Sequence, residues 1–194
     1  MVTRRLGDAM PFEYSAFPTL KTDRLVLREL SYADTEDLFS FRSDPVEQMY
    51  NTSPVKDLPE TRALIEQLRT AYEKERAIHW AVTLKGEDRA IGLFGFNYWE
   101  RFHRRAEIGY DLARPYHGRG LATEAATAMV RFGFEEMELN RIETETIADN
   151  HASVRLLRRL GFRLEGIRRG YSLEDDGTFH GSAIYALLRE EHQP

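Results

Sequence analysis

Ahead of an apolar helical stripe, the sequence reads His117-Gly-Arg-Gly-Leu-Ala122. A loop between a strand and a helix turns successive main-chain N–H groups toward one point, at the positive end of the helix dipole. Gly118 and Gly120 permit positive φ and close approach of an anion, Ala122 keeps the first helical turn small, and Arg119 adds charge. The chemistry in those residue types is anion binding, phosphate first. Taken alone, Gly-x-Gly also serves a turn that simply needs two glycines. The third glycine of a dinucleotide fingerprint and the Lys-Ser/Thr of a P-loop are both missing. Glu107 lies in a β-like run over residues 106–113. Period-two alternation there puts Glu107, Gly109 and Asp111 on one face and Ile108, Tyr110 and Leu112 on the other. A bulge near Leu112 would disturb that parity beyond it. Asn150 and Ser153 open a short helix, where side chains of their type cap the N-terminus.

Those residues need elements to hold them. Residues 1–19, with Pro11 and Pro18 among aromatics, read as an irregular arm, and residues 20–190 as one domain. Residues 24–28 alternate like a strand. Ser31, with Asp34 three residues on, marks a helix start leading to Leu38, Phe39 and Phe41, and Pro45 breaks that run. A second helix begins near Leu58, with Leu64, Ile65, Leu68 and Tyr72 at helical spacing. Residues 78–84 and 89–99 form a hairpin, followed by the strand over 106–113. The glycine loop opens a helix over 121–137 with Ala125, Ala128, Met129 and Phe132 as its apolar stripe. A strand over 141–147, a helix over 150–160 ending at Gly161, and a strand pair over 162–171 and 179–188 complete the chain. The order is that of an α/β (α+β) single sheet.

In that setting, the stretch from Glu107 to Ala125 resembles the acetyl-CoA-binding core of GNAT N-acetyltransferases, whose signature is Gln/Arg-x-x-Gly-x-Gly/Ala. Gly120 and Ala122 match it, and His117 replaces the first residue. The block from Asp149 to Phe162 resembles the Asn-x-x-Ser…Gly-Phe segment of the same superfamily. Leu20-Lys-Thr-Asp-Arg-Leu-Val-Leu-Arg28 resembles the first strand of the RimJ/RimL-like branch, ribosomal-protein N-terminal acetyltransferases. The resemblance implies a central mixed, mostly antiparallel sheet with flanking helices and splayed fourth and fifth strands, between which pantetheine enters. It implies acetyl-CoA as co-substrate, held by Leu112, His117, Gly118, Arg119, Gly120, Leu121, Ala122, Thr123, Asn150 and Ser153. Leu112 would offer its N–H to the thioester carbonyl. Glu107 is the implied base, the alternative being a solvated carboxylate or one paired with Arg104 or Arg105. Ser153 is implied to hydrogen-bond or protonate the leaving sulfur, alongside or instead of a capping role. Met49, Tyr50, Trp99 and Phe102 are implied walls of the acceptor site, one of Arg155, Arg158 and Arg159 could meet the 3′-phosphate, and a homodimer is expected from the branch. His79 and Trp80 read as packing residues. Relatives of that branch often carry an aspartate where Ser182 lies, which leaves room for a different acceptor.

Composition narrows the class. The 194 residues, 42% hydrophobic, suit one well-filled core, and a net charge of −5 argues against a general nucleic-acid partner. With no cysteine, disulfides, thiolate metal sites and a Cys nucleophile are excluded, and a cytoplasmic location is expected. The histidine spacing points to no metal, and no apolar run has the length of a membrane span. The expected acceptor is a primary amine. An α-amine, with pKa near 7.7–8.0 against about 10.4 for lysine, presents far more neutral nucleophile at pH 7. Small antibiotic or polyamine amines, and a non-catalytic acyl-CoA sensor, are the alternatives.

Overall fold

A computed structural model of the chain describes residues 16–51, 53–173 and 177–192. Among these residues eight strands form one sheet: β1 (Leu20–Lys21), β2 (Leu25–Glu29), β3 (Ile78–Leu84), β4 (Gly92–Glu100), β5 (Arg105–Leu112), β6 (Arg141–Ile147), β7 (Arg163–Leu173) and β8 (Phe179–Leu188). Their order is β1-β2-β3-β4-β5-β6-β8-β7. Every neighbouring pair is antiparallel except β5 and β6, which run parallel. The helices are α1 (Thr35–Arg42), α2 (Pro45–Gln48), α3 (Leu58–Glu73), α4 (Leu121–Glu135) and α5 (His151–Arg159).

Strand alternation sorts side chains onto two faces. Ile78, Trp80 and Val82 of β3, with Phe94, Phe96 and Ile108, point to the face covered by α4 and pack there with Ala125, Met129 and Phe132. Burying each large apolar side chain contributes about 1.5–3 kcal/mol. The opposite face carries Ala81 and Leu93, covered by Leu38 and Phe41 of α1 and Ile65 of α3. Gly133 lets α4 sit close to the sheet, because a Cβ there would lie 2.8 Å from the Phe96 ring.

The strands over 24–28, 78–84, 106–113 and 141–147 fall within a residue of the observed ones, and β1 is additional, so the expected fourth and fifth strands are β5 and β6. Ser31 and Asp34 do form a capping box, but around a single 3-10 turn that precedes α1. Pro45 does not merely end a helix. Asp44 accepts the N–H groups of Val46 and Glu47, and Pro45, needing no donor in a first turn, starts α2. Most of the expected N-terminal arm and the turn at residues 174–176 lie outside the described residues. The arm's end is pinned: Trp80 Nε1–H donates to Pro18 O (2.7 Å) and the Tyr72 hydroxyl to Ala16 O (3.0 Å).

β5 and β6 pair only at Arg105–Arg141, Ala106–Ile142 and Glu107–Glu143, then part. At the fork the Thr144 hydroxyl donates to Ile108 O (2.9 Å), taking up a carbonyl that would otherwise face the gap. Parity is disturbed at Asn97 on β4, where the register shifts between Phe96 and Tyr98, rather than near Leu112.

Candidate active site

The fork opens onto a cleft of about 1100 Å³. Leu112 of β5 borders it. Ala113 N–H donates to Ile91 O (2.8 Å), so Leu112 N–H, one residue earlier in an extended strand, faces away from β4 and into the fork. The Leu112 carbonyl accepts from His117 Nε2–H at 2.5 Å. His117 therefore uses its ring to close the loop onto the end of β5.

The loop itself follows from two glycines with φ +71° (Gly118) and +77° (Gly120). Gly120 is the N-cap of α4 and contributes no capping side chain. The first intrahelical bond is Glu124 N–H to Gly120 O (3.1 Å), which leaves the amides of Leu121, Ala122 and Thr123 without helical acceptors. Among the described residues a Cβ at Gly118 would meet nothing within 4 Å, so the approach to the main chain is open. Amides left without helical acceptors at the positive end of a 15-residue helix, bordering the cleft, have the chemistry to receive an anion.

Three residues outside the expected set, Thr22, Arg24 and Glu124, brace this loop. Arg24 Nη1 donates to Arg119 O (3.0 Å), and Arg24 Nε and N–H bond Glu124 at 2.7 and 2.8 Å. The Thr22 hydroxyl adds a 2.5 Å bond to the same carboxylate. Burial works to raise the Glu124 carboxyl, but the bonds from Thr22 and Arg24 outweigh it and hold the group below the usual range. Among the expected cofactor residues only Arg119 does not line the cleft. Its guanidinium lies over the Tyr116 ring, 5.7 Å from the centroid.

Asn150 caps α5, accepting Ser153 N–H at 3.1 Å. The Ser153 side chain, buried, meets the Tyr110 hydroxyl at 2.7 Å across the fork. Burial pushes Tyr110 up to about 12, against the opposing effect of that bond, so the phenol stays protonated and either hydroxyl can donate to the other. Tyr110 was visible as a residue on the face opposite Glu107; its meeting with Ser153 depends on how α5 packs.

Glu107 lines the cleft from the other face of β5. The alternative that Arg104 or Arg105 pairs with it does not hold: Arg104 pairs with Glu138 (3.5 Å) and Arg105 with Glu143 (3.9 Å). Its partner is Asn97, whose Nδ2–H donates to Glu107 Oε1 at 3.4 Å. Further along, buried Asp111 accepts from Arg42, Asn51 and Gln48. Burial pushes the Asp111 carboxyl up, against the pull of those three donors. Met49, Tyr50, Leu64 and Leu68 form the wall on that side. Trp99 and Phe102, expected there, are respectively buried in the core and on an exposed turn. Arg155 and Arg159 line the cleft. Ser182 is buried and donates to Glu145 (3.0 Å).

His79, read from sequence as packing, also reaches the cleft, its Nε2–H on Asn97 Oδ1 at 3.1 Å. Burial lowers it to about 4. An imidazole depressed below its unfolded value contributes stability that is present above about pH 6.5 and is lost as pH falls through the folded value. At about 1.4 kcal/mol per unit, at most about 3 kcal/mol disappears between pH 6.5 and 4. Thermal melts across that window are expected to show the drop, and His79→Gln to flatten it.

The chain matches the acetyltransferase (GNAT) domain model over residues 24–163 and belongs to that family. It is an acetyl-CoA-dependent N-acetyltransferase with the GNAT fold. It is 33% identical to the uncharacterized N-acetyltransferase YoaA of Bacillus subtilis (strain 168), over 89% of this chain and 98% of the relative. It is 28% identical to the [ribosomal protein uS5]-alanine N-acetyltransferase of Escherichia coli (strain K12), over 90% and 93%. A solved RimL-type ribosomal-protein α-N-acetyltransferase in complex with coenzyme A superposes with TM-score 0.81 at 21% identity, covering 88% of this chain and 98% of that one, a likeness of fold. Among the described residues no helix is long and apolar enough to cross a membrane.

Proposed function

We infer that the chain acetylates a protein N-terminal α-amine by direct attack on acetyl-CoA. The observation that carries this reading is the pair of opposed groups at the fork: Tyr110 and Ser153 on one face, and Glu107, without an ion pair among the described residues, on the other. The diphosphate would rest on the amides of residues 118–123, with Arg155 and Arg159 near the cofactor's distal end and pantetheine between β5 and β6. Leu112 N–H would polarise the thioester carbonyl. Glu107, directly or through water, would take the ammonium proton. The neutral amine then attacks the carbonyl carbon, the C–S bond breaks as the nitrogen gives its second proton to solvent, and the leaving thiolate takes the Ser153 proton, which solvent replaces through Tyr110.

An α-amine suits a site with one carboxylate base, because about a tenth of it is neutral at pH 7. The absence of cysteine supports a cytoplasmic setting. A test is thiol release from acetyl-CoA with peptides starting in alanine or serine, lysine side-chain peptides, aminoglycosides and polyamines. Turnover confined to N-terminal peptides is expected. Preference for a small amine would move the acceptor class, and tight acetyl-CoA binding with no turnover on any amine would point to a sensor. Glu107→Gln is expected to lower kcat/KM and remove the acidic limb of its pH profile.

A further inference from the structure

Strand glycines inside an apolar sheet mark places where something must come close. Gly95 and Gly109 pair directly across β4 and β5, and His79 of β3 pairs with Gly95 on the other side. The three positions form one row on the face that carries Glu107. A Cβ at Gly95 would lie 2.4 Å from the His79 ring, and one at Gly109 would lie 2.6 Å from Asn97 Nδ2. Each glycine thus clears the space its neighbour's polar side chain occupies. Asn97 is the extra residue of the β4 bulge, which turns it onto this face beside Tyr98.

We propose that His79 and Asn97 are positioning residues for Glu107, the imidazole fixing the Asn97 amide and the amide holding one carboxylate oxygen while the other stays available to the acceptor amine. The inference rests on Glu107 as the base. Hydrogen-bond direction supports the order of the chain. An ionised Glu107 accepts only, so Asn97 must present its NH₂ to Oε1, at 3.4 Å. Its Oδ1 then faces His79 and requires the Nε2–H tautomer, at 3.1 Å. Among the described residues the buried Nδ1 has no hydrogen-bond partner, as suits a ring kept neutral there. Burial, which holds His79 near 4 with Arg42 adding to the effect, keeps it neutral through the working range. The surrounding charges are engaged elsewhere. Across the fork, Glu143 is paired with Arg141 and Arg105; Glu145 is paired with Arg168, and Asp111 with Arg42. On the outer side, Glu29 and Arg69 pair with each other beside His79, near Tyr72. The Tyr98 hydroxyl is bonded to Glu100.

The test is kcat, KM and the pH profile on an alanine-initiated peptide for Asn97→Ala, His79→Gln, His79→Ala, Glu107→Gln and the Asn97→Ala/Glu107→Gln double variant. Asn97→Ala is expected to lower kcat about tenfold, the loss of one hydrogen bond to a charged group. It should move the acidic limb upward, leave KM for acetyl-CoA unchanged, and add nothing in the Glu107→Gln background. His79→Gln, which keeps an N–H donor, should retain more activity than His79→Ala. If Asn97→Ala does not fold, Gly109→Ala displaces the same amide and must give the same pattern. Equal losses in both Glu107 backgrounds, or an unmoved acidic limb, overturn the positioning role while leaving the base intact. Wild-type kinetics in Glu107→Gln, or no turnover of any amine by the wild type, would remove the base and this inference with it.

Discussion

Gly120→Val is expected to abolish measurable binding of acetyl-CoA. Gly120 has φ +77°, caps α4, and begins the run of amides proposed to receive the diphosphate. A β-branched residue is a genuine outlier in that conformation, and left-handed backbone costs an L-residue about 1–2 kcal/mol. To relax, the loop must rotate and turn its N–H groups away from their common focus. Losing even one charge-assisted bond on top of that strain makes about 3 kcal/mol, or at least a hundredfold in affinity. Asparagine tolerates positive φ better than other residues, so Gly120→Asn should bind measurably, weaker than wild type. Calorimetry with acetyl-CoA and with CoA checks both, and equal affinity for wild type and the valine variant would contradict the role given to the loop.

The second large effect is on turnover. Ser153→Ala is expected to lower kcat about a hundredfold, the scale of a lost general acid, with KM for acetyl-CoA nearly unchanged. The helix cap survives this change, because Asn150 accepts the main-chain N–H of residue 153, which alanine keeps. The change also leaves the buried Tyr110 hydroxyl without its 2.7 Å partner, at a cost of about 1–3 kcal/mol in stability. Adding Tyr110→Phe makes both groups apolar and should restore much of the melting temperature, but not the rate. Recovery of both together would mean that the pair only packs.

Local pattern carried much of this. The strand over 141–147 matched its observed bounds, the glycine loop lay between a strand and a helix, and alternation separated Glu107 from Tyr110, because those signals depend on near neighbours. The parts that depend on distant contacts were not legible. Arg24 resembled an ordinary strand residue until α4 brought Glu124 and the Arg119 carbonyl to it. Asn97 acquired its place from a one-residue register shift that no periodicity marks. Gly95 and Gly109 were the available clue, since an interior strand glycine signals close approach, but what approaches could not be read without the pairing.

The clamp at Glu124 ties the opening hairpin to the helix proposed to receive the diphosphate. Whatever steadies that carboxylate also steadies a carbonyl 95 residues further along the chain from Arg24. Ligand affinity and the anchoring of the first hairpin are therefore one linked equilibrium. Saturating the nucleotide end should slow amide exchange in β1 and β2, and damage to that hairpin should be felt as weaker cofactor retention before the rest of the sheet loosens.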